Sequence, residues 1–132
     1  MTLRRHWLLG ASLALGAASL GMAAQAASDA VRGEQVYARC AACHALAFDR
    51  VGPRHCGLLG RRAGSVAGFD YSPAMKKSGL VWNEKTLNRF LTKPLTVVPG
   101  SKMTYDGIPD AKDRGDLIAY LKEVNGSAFC RN

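Results

Sequence analysis

Two cysteines and a histidine fall within five residues, Cys40-Ala41-Ala42-Cys43-His44, and the rest of the chain must fold around whatever they hold. Four kinds of centre use such a stretch: a disulfide, a metal clamp, a redox dithiol and a covalently attached prosthetic group. Each of these needs a different context elsewhere in the chain. The remaining sequence therefore has to distinguish among them.

The first 26 residues have the three parts of a secretory signal peptide. Residues 4–6 are basic, residues 7–20 are apolar, and Ala24-Gln25-Ala26 forms a small-residue cleavage signal. The alternative is a membrane anchor, but 14 apolar residues are too few, because a spanning helix needs roughly 20. We therefore expect residues 1–26 to be cleaved and residues 27–132 to form one mature domain in the periplasm. The arginine pair Arg4-Arg5 also occurs in signals for the export of folded proteins, but we favour export of the unfolded chain by general secretion.

The composition limits the function further. The chain of 132 residues carries a formal net charge of +8, which favours anionic partners. Only 8% of its residues are aromatic and its charges are dispersed, so a nucleic-acid platform is not indicated. Export places the four cysteines in an oxidising compartment, where disulfides persist. The composition therefore indicates a single small exported domain.

The pattern along the mature chain predicts helices separated by long loops, and no strands. Capping residues and apolar spacing favour helices over residues 30–40, 73–77, 84–91 and 110–124. Residues 46–72 are rich in Gly and Arg and show no regular period, so we expect turns there, and a second loop over 97–106. Such long irregular segments are unusual in a compact domain unless they wrap something.

This context separates the alternatives for the Cys-x-x-Cys-His stretch. A redox dithiol belongs in a βαβ setting, which is not indicated here. Zinc would need a second pair of ligands, and Cys56 and Cys130 are not paired in the sequence. The histidine directly after the second cysteine instead matches the attachment sequence of c-type haem. We therefore predict one covalent haem, with Cys40 and Cys43 as its anchors and His44 as the proximal iron ligand.

A second iron ligand is expected on the other face of the haem. A thioether suits electron transfer because it raises the reduction potential. Met103 follows Pro99-Gly100 in a loop and is the favoured ligand, whereas Met75 falls in a predicted helix and is expected to be structural. His55 is the remaining candidate, but its Arg- and Gly-rich surroundings indicate a solvated side chain.

The mature chain resembles the class I c-type cytochromes, particularly the mitochondrial type and the soluble cytochromes of purple bacteria. The resemblance rests on several motifs that occur in the same order: "GEQVYARCAACH", "VGP", "GLLGRRAGSVAGFDYSPAMKKSGLVW", "KPLTVVPGSKM" and "DLIAYLK". It implies an all-α cytochrome c fold, in which short helices and loops wrap one haem.

The resemblance also implies individual roles. The Pro53 carbonyl is expected to accept a hydrogen bond from His44, which orients the ring and raises its donor strength. Gly33 and Tyr37 match the first helix where it crosses the last one. Further matching positions are expected to bind the haem or its propionates: Arg61, Tyr71, Trp82 and Ser101.

Several departures from the family pattern matter, among them the following. Cys56 stands where many relatives have a histidine that ties two loops, and a Cys56–Cys130 disulfide could replace that tie and contribute about 3–4 kcal/mol; free or intermolecular thiols are the alternative. Phe90 stands where many relatives have a tyrosine near the methionine sulfur, which predicts an altered potential. The lysines that flank the methionine loop in the mitochondrial type are fewer here, although Lys102 remains.

The resulting expectation is a periplasmic one-electron carrier that is not an enzyme, with His44 and Met103 ligating the iron. It would be monomeric and would meet redox proteins: a membrane oxidase, a reductase or a periplasmic dehydrogenase. Two alternatives remain open. One is a dedicated electron-accepting subunit of a periplasmic dehydrogenase, and the other is a haem sensor in which a small ligand displaces a labile Met103.

Overall fold

Residues 28–131 are described by a computed structural model, and they form six helices. No strand occurs within these residues, only one isolated bridge between Arg62 and Val81. The predicted all-α fold is therefore confirmed. The predicted signal peptide lies outside the described residues. In chain order the helices are α1 (Ala30–Tyr37), α2 (Pro73–Lys77), α3 (Glu84–Thr92), α4 (Pro94–Val97), α5 (Ala111–Gly126) and α6 (Ala128–Arg131).

The packing of α1 against α5 forms the frame of the fold. Gly33 allows the two helices to approach closely, because a Cβ at this position would lie 2.6 Å from the carbonyl carbon of Asp116 and 2.8 Å from Cβ of Tyr120. One turn later, the rings of Tyr37 and Tyr120 pack with centroids 5.3 Å apart. The expected crossing of the first and last long helices is therefore present, and it centres on Gly33.

A buried carboxylate fastens the same crossing. Asp116 on α5 is 0% exposed and accepts hydrogen bonds from the backbone N–H of Asp29 (2.8 Å), from Lys112 and from Arg32. Burial by itself raises the pKa of Asp116, but these donors outweigh it and hold the pKa at about 2. Arg32 also donates to Asp113 at 2.5 Å. The start of α1 is thereby tied to α5 by ion pairs as well as by close packing.

The helix bounds differ from the sequence prediction by up to three residues, and two further helices are present. Helix α1 ends at Tyr37 rather than at Cys40, because the chain continues in tighter turns, with Cys40 N–H donating to the Tyr37 carbonyl at 2.8 Å. Helix α4 was not predicted. Pro94 stops α3 but is also the first residue of α4, a position that proline favours. The short helix α6 was likewise not expected.

The core lies between the α1–α5 pair, α3 and the long loops. Fourteen buried residues form one cluster, to which loop residues contribute as well as helices. Among them, Trp82 packs on Phe90 of α3 with ring centroids 5.0 Å apart. The irregular segment over residues 46–72 contributes Leu58 and Ala63 to this cluster. No helix within residues 28–131 is long and apolar enough to span a bilayer.

Candidate haem site

The Cys-x-x-Cys-His stretch lies in the turns that follow α1. The amide of Cys43 donates to the Cys40 carbonyl at 3.1 Å, and the amide of His44 donates to the same carbonyl at 2.9 Å. Cys40 is half-buried against the core while Cys43 is exposed, and neither forms a disulfide. Burial raises the pKa of Cys40 to about 11, the opposite of the lowered value that a reactive dithiol needs.

The imidazole of His44 is held from two sides. Its Nδ1 lies 2.8 Å from the carbonyl oxygen of Pro53, the contact expected from the sequence. A Cβ at Gly52 would lie 2.6 Å from both ring nitrogens, so only glycine lets the backbone lie against this ring. Burial lowers the pKa of His44, and the Pro53 contact only partly opposes it. With Nδ1 donating to Pro53, the neutral ring has Nε2 available as a ligand atom.

The loop that carries Met103 is anchored at both ends. At its start, the Ser101 amide donates to the Val98 carbonyl, and the Ser101 hydroxyl accepts from the Met103 amide, each at 3.1 Å. At its end, the Ile108 amide donates to the Leu91 carbonyl at 2.8 Å. Met103 is half-buried and packs against the core, and Ser101 is buried. The loop therefore holds this methionine toward the interior.

Met75, the other methionine within residues 28–131, lies elsewhere in the core. It is 7% exposed on α2, whose N-terminus is capped by the hydroxyl of Ser72. This placement agrees with the structural role expected for it.

Arg61 has a buried polar atom without a hydrogen-bond partner among the described residues. Its two terminal nitrogens donate to the carbonyls of Cys56 (3.1 Å) and Arg54 (2.8 Å), but its buried Nε makes no hydrogen bond to any described residue. Burial raises the pKa of Tyr71, and the positive charge of Arg61 opposes that rise, which places the phenol within the field of the guanidinium. Trp82 is buried, its amide donates to the Arg61 carbonyl at 2.9 Å, and its ring packs on Phe90.

His55 is half-buried between two other rings, rather than a fully solvated loop residue as its Arg- and Gly-rich surroundings suggested. Its ring is stacked on that of His44, with centroids 4.3 Å apart and planes inclined by 20°. Its Nδ1 lies 3.2 Å from the hydroxyl of Tyr37. Burial, followed by the charges of His44 and Arg61, lowers the pKa of His55 to about 3. The local composition did not reveal this environment, because the rings of His44 and Tyr37 that partly bury His55 come from other segments of the chain.

Cys56 and Cys130 meet in the structure. Their Cα atoms are 5.1 Å apart, which lies within the range for disulfides, and their sulfurs are at bonding distance. The contact joins the loop beside His55 to α6, across a separation of 74 residues. A second tie runs alongside it, since the Leu58 amide donates to Oδ1 of Asn125 at 2.8 Å.

The residues present fit a covalent haem. Two thiols remain for thioether bonds, and the neutral imidazole of His44 has a nitrogen available for iron. The buried Nε of Arg61 lacks an acceptor, which a propionate carboxylate would supply. A metal held by the protein alone is not indicated, because residues 28–131 contain no cluster of three or more His, Cys, Asp or Glu able to hold an ion.

Comparison with known proteins agrees with this site. The family model described as Cytochrome c matches residues 30–125. Cytochrome c2 of Rhodomicrobium vannielii is 44% identical over 122 residues, which cover 90% of this chain and 94% of that protein. Cytochrome c of Tetrahymena pyriformis is 49% identical over 98 residues, 73% of this chain and 89% of that protein.

A solved structure gives the same result for the fold. Cytochrome cH from Methylobacterium extorquens superposes with a TM-score of 0.71 at 44% identity, covering 73% of this chain and 99% of that one. The family and the fold thus agree. The chain belongs to the cytochrome c family and is a class I c-type cytochrome, an electron carrier with covalently attached haem.

Proposed function

We propose that this cytochrome is a periplasmic one-electron carrier whose haem iron is ligated by His44 and Met103. The observation that carries the proposal is the arrangement around His44. Its Nδ1 is committed to Pro53 and its ring lies against Gly52, which leaves Nε2 for the iron. The bound haem supplies one-electron chemistry by cycling between Fe(II) and Fe(III).

The protein residues bind and orient that group. Cys40 and Cys43 form the thioether bonds, and the half-buried Met103, on its anchored loop, supplies the second ligand. Because neither ligand loop is free to move far, little rearrangement accompanies a change of one charge. Four further residues would contact the haem or its propionates: Arg61, Tyr71, Trp82 and Ser101.

Its localisation and partners follow from the leader and the charge. Residues 1–26 have the pattern of a secretory signal peptide, which leaves residues 27–132 as the periplasmic domain. The positive net charge steers the domain toward anionic surfaces of redox proteins in brief, salt-sensitive encounters. On the face of the methionine loop, Asp70 offsets the charge of Lys102 at 2.5 Å. The docking surface is thus less basic there than a run of free lysines would be.

Carbon monoxide distinguishes the carrier from a haem sensor. We expect the reduced holoprotein to bind no carbon monoxide at neutral pH, because a loop anchored at both ends keeps Met103 in place. The oxidised protein should show the Met-to-iron charge-transfer band, and a redox titration should show one single-electron transition. Carbon monoxide binding to the native reduced protein, together with a missing band, would instead support a sensor.

We also propose that Cys56 and Cys130 form a disulfide that fastens α6 to the loop beside His55. Cys56→Ser or Cys130→Ser should each lower the free energy of unfolding by about 2–4 kcal/mol, measured by denaturant titration. Because one bond is lost in either case, the double variant should lose no more than a single variant. Two alkylatable thiols in the native, non-reduced protein would contradict the disulfide.

A further inference from the structure

We propose that His55 is a positioning residue for the proximal iron ligand, because its stacked ring fixes the tilt of the His44 imidazole. The inference rests on the proposed His44 ligation. It assigns a role in that ligation to a histidine that is not itself a ligand and that the sequence placed in solvent. The stack between His55 and His44 joins loop segments eleven positions apart.

The contacts with the Pro53 loop leave the orientation of His44 incompletely determined. The Pro53 carbonyl restrains the ring at Nδ1, 2.8 Å away, and Gly52 lies against the nitrogen-bearing end of the same ring, but contacts at one end still allow the plane to tilt. A nearly parallel ring at 4.3 Å opposes that tilt, since inclining either plane brings the two rings into contact. The angle of 20° between the planes therefore reflects packing over a whole ring face.

His55 can act in this way because it is itself fixed. Its amide donates to the carbonyls of Ala45 and Leu46, at 3.0 and 3.1 Å, directly after the proximal histidine. Its Nδ1 meets the hydroxyl of Tyr37 at 3.2 Å, and the two rings pack edge to face at 5.7 Å. The backbone and the ring of His55 are thus both fixed, so His55 can in turn restrain the His44 ring that it contacts.

The stack is connected to the frame of the fold. Tyr37 lies at the end of α1 and packs on Tyr120 of α5, at the crossing that Gly33 permits. Contacts therefore run from α5 through Tyr37 and His55 to His44. The orientation of the proximal ligand is set by the helix crossing as well as by the Pro53 loop.

Three variants of the holoprotein test the proposal at one constant pH. His55→Leu removes the ring, His55→Phe keeps a ring but removes its nitrogens, and Tyr37→Phe removes only the hydroxyl. The measurements are the electron paramagnetic resonance g-values of the oxidised protein and the order of its haem methyl proton resonances, both of which report the orientation of the axial imidazole. A packing role without positioning would alter stability but leave these spectra unchanged.

We expect His55→Leu to change the g-values and the methyl order most, His55→Phe to change them less, and Tyr37→Phe to give a small change in the same direction. Val31→Ala, at an exposed position of the same helix as Tyr37, is the control and should leave both spectra unchanged. If His55→Leu fails to incorporate haem, the other two variants carry the test.

Wild-type spectra in all folded variants would overturn the positioning role. The wild-type protein tests the ligation separately, because a methionine-bound iron shifts the methionine methyl protons far upfield. Loss of that signal in the wild type would refute the Met103 ligand and leave the His55 comparison interpretable.

Discussion

Met103→Ala should lower the reduction potential of the holoprotein by more than about 0.1 V, whereas Met75→Ala should leave it nearly unchanged. Axial-ligand identity spans about 0.8 V among haem proteins, and a thioether lies toward the high end. Removing the ligand sulfur therefore stabilises the oxidised state. The Met-to-iron charge-transfer band should vanish in Met103→Ala and persist in Met75→Ala. A spectroelectrochemical titration measures both quantities.

The two methionines form a matched pair because the substitution is the same and only the site differs. Met75 is 7% exposed in the core, so its truncation should cost about 2–5 kcal/mol of unfolding free energy through lost packing and the cavity left behind. Met103 is half-buried and should cost less in packing. A potential that falls with Met75→Ala instead, or with neither substitution, would contradict the ligand assignment.

Gly33→Ala should destabilise the protein by about 3 kcal/mol, whereas Gly115→Ala should be neutral or stabilising by up to about 1 kcal/mol. Alanine is the better helix former at both positions, by about 1 kcal/mol. At Gly33, however, the added methyl would lie 2.6 Å from the backbone carbonyl carbon of Asp116, so α1 and α5 must separate. At Gly115 the methyl would meet only Cβ of Ser28, at 3.9 Å.

Denaturant unfolding of the two holoprotein variants measures the difference directly. Both glycines are helical, so a common effect of helix propensity cancels in the comparison. Equal stabilities would show that the crossing can relax around a methyl group. The Gly33 variant should also lose the fixed position of Tyr37, and with it part of the restraint on His55.

Patterns short in sequence allowed the family and its covalent haem to be predicted. The spacing of Cys40, Cys43 and His44 indicated haem because the chemistry of attachment depends on neighbours within five residues. Asn83 and Pro73 likewise gave the starts of α3 and α2, since capping acts over a single turn. Such features depend on residues that are neighbours in the chain, so they can be read directly from the sequence.

Features that depend on burial by distant segments could not be predicted from the sequence. Asp116 reads as an ordinary acidic residue of a helix, yet it is fully buried under donors that come from α1 and the segment before it. The burial of Asp116 depends on which segments meet, and composition does not encode that. Helix α4 was missed for a local reason instead, since Pro94 both ends α3 and begins α4.

The sequence by itself determined the family, the all-α class and the residues able to hold a haem, because attachment motifs, helix caps and glycine-rich turns all act over a few residues. Only the tertiary structure decided that His55 lies against His44, whereas the Pro53 contact was already expected from the family resemblance. His55 was expected in solvent and is stacked on His44 instead, 4.3 Å away, while Tyr37 holds it from behind. The physical reason is desolvation: a side chain loses its water only when distant segments close over it, and that closure is a property of the folded chain.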